Sequence, residues 1–358
     1  MLSPILETYG LNPKEWMIQP FGTGLINHTW LLKKDNKEYI LQKINNNVFK
    51  DPYAISDNIR LVGNYLKIHY PGYLFVTPLH STDDRDIIQN SDGYYRLFPF
   101  VKDSVTYTTV ESPELAFEAA RQFGKFTHFL SGFDESLLKE TILNFHNLSL
   151  RYNQFEESLK QGNKERLSEA TDIIKQLKKY SYIVDEFEQI KRSPQFKKRV
   201  MHSDTKISNV LFDKQNNGLC VIDLDTVMPG YFISDVGDMM RTYLSPVSEE
   251  EKDFSKIEVR EDYFAAIVEG YLTEMHADLT EEEQKYFLYA GRFMIYMQCI
   301  RFLSDYFNND VYYGSKYEGQ NFKRAINQLS LLNRLEEKEE QLLLRTKQHK
   351  YFFLGEDK

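Results

Sequence analysis

The sequence predicts an α+β protein in two lobes, a small antiparallel-sheet lobe followed by a larger, mainly helical one. Three observations lead there. At 358 residues the chain exceeds what one hydrophobic core ordinarily supports. Alternating strand signals crowd into residues 15–100, punctuated by turn sequences. Beyond about residue 104 the apolar spacing changes to the helical period.

Each element has its own warrant. Phe21-Gly22-Thr23-Gly24, Lys34-Asp35-Asn36-Lys37 and Asn90-Ser91-Asp92-Gly93 are turns, and strands at 30–32 and 38–43 flank the second. One helix near 51–69 interrupts the strands. The last strand, 94–101, meets Pro99 and then Lys102-Asp103-Ser104, which puts the hinge at 99–104. The expected division is therefore an N-terminal sheet lobe, 1–101, and a helical lobe, 102–358. Ser112-Pro113-Glu114 starts a helix, with a capping serine and proline at the first helical position, and its apolar spacing runs through Phe129. Two Lys- and Glu-rich helices are expected over 149–192, more over 261–307 and 317–347, and a charged, solvated tail over 335–358. The most apolar stretch, 285–307, contains Arg292, Gln298 and Arg301 and reads as a buried helix, not a membrane span. No internal repeat interrupts this order.

Composition narrows the function. The hydrophobic share of 42%, with 14% aromatic, gives large side chains to bury, and 27% charged residues keep the surface wet. A net charge of -9 and a pI near 5.5 argue against a nucleic-acid binder. Two cysteines, Cys220 and Cys299, suggest neither a disulfide framework nor a zinc site. The N-terminus lacks the basic start and apolar run of a secretory signal, so a cytoplasmic location without membrane partners is expected. Oligomeric state is not legible.

Chemistry concentrates in His202-Ser-Asp-Thr-Lys-Ile-Ser-Asn209. Asp204 and Asn209 stand five apart, the separation of the protein-kinase catalytic loop, in which the aspartate accepts the acceptor hydroxyl's proton and the asparagine holds magnesium. Asp223 then occupies the position of the second kinase metal ligand. Residues 209–213 and 218–222, separated by polar turn residues, form a hairpin that carries both ligands back to one spot. Upstream, Gly22 and Gly24 would let backbone N–H groups approach ATP phosphates, and Lys43 ends a strand where kinases place the lysine of the α- and β-phosphates. The helix after Lys43 offers Asp57 where a glutamate partner is expected. Asp225 could join the metal site through water or serve structurally, Asp235 reads as a helix N-cap, and His202 as a loop-fixing hydrogen-bonder.

These motifs resemble the aminoglycoside phosphotransferase and choline kinase group, and within it the N-acetylhexosamine 1-kinases. Resembling segments begin at Phe21-Gly-Thr-Gly-Leu-Ile-Asn-His-Thr29, Tyr39-Ile-Leu-Gln-Lys-Ile-Asn45 and Arg96-Leu-Phe-Pro-Phe-Val101. They continue through Phe123-Gly-Lys-Phe126 and Thr141-Ile-Leu-Asn-Phe-His146. Ile222-Asp-Leu-Asp-Thr-Val-Met-Pro-Gly230, and Arg301-Phe-Leu-Ser-Asp-Tyr306 with Asp310-Val-Tyr312, are more particular to the hexosamine kinases. The resemblance implies a protein-kinase-like two-lobed fold and magnesium-dependent transfer of the ATP γ-phosphate to the anomeric hydroxyl of GlcNAc or GalNAc. It further implies Asp204 as base, Asn209 and Asp223 as Mg2+ ligands, and Arg301 and Tyr312 as sugar contacts. The rival readings are a kinase of choline, homoserine or an aminoglycoside, and a catalytically silent, kinase-shaped binding protein.

Overall fold

The computed structural model describes residues 2–22 and 26–347, and the side chains up to 345. It divides into two compact units. The first comprises Met1–Val105, Gly132–Leu143 and Leu211–Pro229, and the second Thr106–Ser131, Asn144–Val210 and Gly230–Lys358.

The first unit is built on a five-stranded antiparallel sheet of β1 (Met17–Pro20), β2 (His28–Lys34), β3 (Lys37–Ile44), β4 (Ile88–Asn90) and β5 (Gly93–Pro99), in the order β1-β2-β3-β5-β4. The β2–β3 turn is tight because Asp35 adopts φ 50°, which its short polar side chain tolerates. Period-two alternation sends Leu32, Leu41, Tyr95 and Leu97 to one face, where they pack with Ile5, Leu6, Trp16 and Ile88. The helix Pro52–His69 follows β3. Asp51 caps it by accepting from the backbone N–H of Tyr53 (3.1 Å) and Ala54 (3.2 Å), and Pro52 occupies the first turn. Ile55, Ile59, Val62 and Leu66 form its buried stripe.

Two later segments of this unit meet at one buried side chain of that helix. Asn58 donates to the carbonyls of Lys139 (2.8 Å) and Val227 (3.0 Å) and accepts from the Lys139 N–H (3.0 Å). The expected hairpin is present as β7 (Val210–Phe212) and β8 (Gly218–Val221), following the short strand β6 (Arg199–Met201). Its turn is fastened by Asp213, which accepts from the N–H groups of Gln215 (2.8 Å) and Asn217 (2.9 Å).

The second unit is helical. Its central helix, Phe287–Phe307, is buried on nearly all sides, as its apolar circumference demands. Neighbouring helices come close through glycines: a Cβ on Gly237 would stand 2.3 Å from the Ala290 carbonyl oxygen, and one on Gly270 2.2 Å from that of Phe117. The helix Pro113–Phe129 is capped by Ser112, whose side chain accepts from the Leu115 N–H (3.3 Å). Where two helices were expected over 149–192 there are four, Leu148–Gln161, Lys164–Glu169, Thr171–Lys179 and Tyr182–Arg192. The first break falls at Gly162-Asn163, where Asn163 accepts from the N–H groups of Glu165 (3.1 Å) and Arg166 (3.3 Å) and restarts the helix. Among the described residues no helix is long and apolar enough to cross a membrane.

Candidate active site

In the second unit, β6 leads into the loop bearing Asp204. The loop closes with a 3-10 turn, Ile207–Asn209. Asp204 and Asn209 are brought together as their spacing predicts: the Asn209 side-chain amide donates to the Asp204 carboxylate (3.1 Å) and to its backbone carbonyl (2.9 Å). This fixes Asn209 with its amide nitrogen spent, leaving its side-chain carbonyl as an oxygen donor of the kind that suits magnesium.

The helix Phe232–Tyr243 holds this loop in place. Asp235 accepts from the backbone N–H of His202 (3.0 Å) and Ser203 (2.8 Å), and Asp238 from that of Thr205 (2.9 Å). The Thr205 hydroxyl donates to the Asp235 carbonyl (2.7 Å), and the Tyr243 hydroxyl donates to the Thr205 carbonyl (2.6 Å). The expectation of Asp235 as an N-cap is corrected here. The helix starts after Tyr231, and Asp235, inside its first turn, spends both oxygens on the loop. Ser203 sits at φ 65°, a left-handed conformation those bonds sustain. The His202 ring meets Phe123 and Phe126 edge-on, with centroids 5.1 and 6.2 Å away.

Charge in the loop is arranged around Asp204. Burial raises its pKa, but Lys206, whose Nζ lies 2.9 Å from the carboxylate, outweighs that with help from Asn209 and leaves it below the usual carboxylate range. Burial pushes Asp235 up to about 7 despite its two backbone hydrogen bonds, with the nearby Asp238 and Asp204 carboxylates adding to the rise. Asp238 is neutralised by Arg241, whose Nε and Nη2 lie 3.0 and 2.9 Å from one oxygen.

The two residues expected to contact a sugar also meet. Arg301 reaches the Tyr312 hydroxyl at 3.4 Å and the Gln298 side-chain carbonyl at 3.2 Å. Its guanidinium lies 5.7 Å from the centroid of Phe145 and 5.5 Å from that of Tyr313. Tyr312 is 64% exposed, and its loop is placed by Asp305, whose carboxylate accepts from the N–H of Tyr312 (2.7 Å) and Tyr313 (2.9 Å). His146 stacks on Phe145 with centroids 4.3 Å apart. Burial, reinforced by the positive charge of Arg301, lowers its pKa to about 3, so it is a neutral ring at physiological pH.

In the first unit Gly22 lies in the β1–β2 connection at φ 76°, a conformation suited to glycine, and Gly24 falls outside the described residues. Lys43 lies near the end of β3, its Nζ 2.8 Å from Asp92. Asp223 adopts φ 59°, ψ 60° immediately after β8 and its hairpin, a left-handed backbone uncommon for any residue but glycine, asparagine and aspartate. Its carboxylate is a hard oxygen donor of the class magnesium takes. Asp225 has a structural post: it is buried against Arg96 (2.5 Å) and accepts from the Asn27 amide (2.8 Å), while Gln42 binds the same guanidinium (2.9 Å).

Four participants were missed by the sequence reading. Lys206 stands two residues from the base, so its place in the motif was a usable signal. Asp92 and Asp238 had none, because the contacts that define their roles lie 49 and 33 positions away, while Asp305 holds N–H groups only seven and eight positions ahead.

Comparison with known proteins agrees with this architecture. Residues 17–277 match the family described as "Phosphotransferase enzyme family". Similar solved structures include a microcompartment-associated aminopropanol kinase, 14% identical with a TM-score of 0.63, covering 96% of this chain and 98% of that one. An AMP-bound spectinomycin phosphotransferase is 14% identical with a TM-score of 0.59, covering 94% and 96%. Choline kinase from Cryptosporidium parvum Iowa II is 15% identical with a TM-score of 0.58, covering 96% and 97%. These likenesses show the kinase-like fold, with an antiparallel-sheet N-terminal lobe and a helical C-terminal lobe. From the family match across most of its length, the chain belongs to the phosphotransferase enzyme family.

Proposed function

We propose that this phosphotransferase transfers the γ-phosphate of ATP to the anomeric hydroxyl of an N-acetylhexosamine, GlcNAc or GalNAc. The observation that carries the reading is the Asp204–Asn209 pair, a carboxylate held ionised at the start of a loop whose asparagine has its side-chain oxygen to spare. Asp204 orients the acceptor hydroxyl and takes its proton as the bond to phosphorus forms. Asn209 and Asp223 are the proposed magnesium ligands, and the ion supplies neutralisation of phosphate charge. Lys43 and the backbone at Gly22 and Gly24 are the proposed nucleotide contacts. The nucleotide bound to the spectinomycin enzyme is AMP, a molecule of the class proposed here.

Arg301 and Tyr312 support a sugar as acceptor. A planar cation beside aromatic faces suits a neutral ring bearing hydroxyls and an amide. Arg151 adds a second positive charge, donating to the carbonyls of Asn144 (3.2 Å) and Phe145 (3.3 Å). Choline or a polycationic aminoglycoside would meet like charge there, which disfavours both. The test is a phosphorus NMR screen of GlcNAc, GalNAc, choline, homoserine and an aminoglycoside with ATP and magnesium. A sugar 1-phosphate is expected, and phosphate appearing only on an amino alcohol would overturn the reading.

A further inference from the structure

Opposite the face of the sheet that carries Leu32, Leu41, Tyr95 and Leu97, the strand register sets Thr29, Gln42 and Arg96 side by side across β2, β3 and β5. The Arg96 guanidinium donates to the Gln42 side-chain carbonyl through Nε (3.1 Å) and Nη2 (2.9 Å), and Nη2 lies 2.5 Å from the Asp225 carboxylate. Both charged side chains are 2% exposed. A second arm reaches the other oxygen of Asp225. Asn27, in the connection between β1 and β2 that also holds Gly22, donates to it through its side-chain amide at 2.8 Å, while its side-chain carbonyl accepts from the Asn45 N–H (3.0 Å) just past β3. We propose that Asp225 is the positioning residue of the magnesium segment, fixing Asp223, two residues before it, to the sheet through Arg96 and to the glycine connection through Asn27.

The backbone at Asp223 needs such a hold. A φ of 59° persists at a residue other than glycine where the surroundings over-determine it. The 3-10 turn Leu224–Thr226 that follows is gripped at two points: Asp225, in its middle, by the sheet, and Val227, just past it, by Asn58, which donates to the Val227 carbonyl (3.0 Å). The Val227 N–H donates back to the Leu224 carbonyl (3.2 Å) and closes the turn. With one oxygen of Asp225 on Arg96 and the other on Asn27, its carboxylate is neutralised and engaged, which leaves Asp223 as the metal ligand of the segment. Groups that orient a metal-binding side chain act in this way, from one step outside the ion's own ligands. A buried ion pair adds little stability over apolar side chains of the same shape, but its fixed geometry specifies position. Asn27 extends that geometry to the β1–β2 connection, so the glycine connection and Asp223 share one frame.

The inference rests on Asp223 holding magnesium, and the test separates the two claims. Calorimetric titration of ATP, with and without Mg2+, is run on the full chain as wild type, Asp223→Ala, Asp225→Asn, Asn27→Ala and the Asn27→Ala/Asp223→Ala double variant, with a thermal melt of each. The quantity read is the gain in ATP affinity that Mg2+ brings. Asp223→Ala is expected to remove most of it. Asp225→Asn is expected to cut it about tenfold, the scale of groups that orient a metal ligand. Asn27→Ala, at a half-buried residue, is expected to cut it about threefold, the scale of one hydrogen bond, and to add nothing in the Asp223→Ala background. A merely structural role would lower the melting temperature and leave the gain at its wild-type size. That outcome in either variant, or a further loss of the gain in the double variant, overturns the proposal alone, and Asn27→Ala decides it where Asp225→Asn does not fold. An undiminished gain in Asp223→Ala, or no gain in the wild type, overturns the metal reading and the proposal with it.

Discussion

The loop carrying Asp204 and the strand carrying Lys43 are fastened in opposite ways. Five hydrogen bonds tie the loop to the helix Phe232–Tyr243, and the two aspartates that hold it are buried. Lys43 is held by one ion pair whose acid is 39% exposed. Buried hydrogen-bonded carboxylates are costly to disturb, while exposed ion pairs contribute about 0–1 kcal/mol. A proton acceptor must be positioned before the reaction, and the rigid anchorage suits that task, whereas an exposed ion pair constrains its lysine far less.

The largest effect is expected where this rigid loop meets the chemistry. Asp204→Asn preserves shape but not the proton acceptor, and turnover should fall by about 10²–10⁴-fold. Steady-state kinetics with the acceptor found in the NMR screen reads it directly. Turnover near wild type would break the comparison, because the fastened loop would then hold no base.

Asp235→Asn probes the fastening itself. Its amide places a donor against a backbone N–H that needs an acceptor, costing about 1–3 kcal/mol. The pH dependence is the sharper reading. Burial raises the Asp235 carboxyl to about 7, above its unfolded value, so the native state keeps a proton the unfolded chain has released. The group therefore withdraws stability as pH rises from about 4 to about 7, and the wild type should lose ground to the variant across that window. Urea unfolding of both proteins at several pH values measures the gap. A constant gap would mean that Asp235 is ionised throughout.

Much of this arrangement was legible in sequence because it is local. The Asp204–Asn209 spacing, the Ser112 helix cap and the hairpin after Asn209 each depend on residues within a few positions of one another. The partner of Lys43 was not legible, since Asp92 lies 49 positions away and reaches it only through the β3–β5 register. Asp235 was misread for a related reason: Ser, Thr, Asn or Asp at a helix start usually caps it, and nothing nearby reveals that a loop 33 residues upstream claims the carboxylate. The segments 132–143 and 211–229 both meet Asn58 in the sheet's unit, a contact that no period in the sequence encodes.

Arg301→Met should raise the acceptor KM about tenfold with less change in kcat, since it removes binding shared by ground and transition states. His146, neutral above about pH 4, should add no titration to that KM between about pH 5 and 8. A wild-type acceptor KM in Arg301→Met would remove the argument that this cluster reads the sugar, while leaving Asp204 untouched.

Asp57→Asn should change least. In a kinase whose lysine is steadied from the helix, removing the helix acid would weaken nucleotide binding. Here Asp57 serves Arg60 and Lys139 on an exposed face, and such pairs are worth about 0.2–1 kcal/mol. ATP affinity should stay within about twofold of wild type, a difference below the worth of one hydrogen bond. Calorimetric titration with ATP and magnesium measures it. A loss of affinity of about tenfold in Asp57→Asn would mean that the helix acid serves the nucleotide site and not only Arg60 and Lys139.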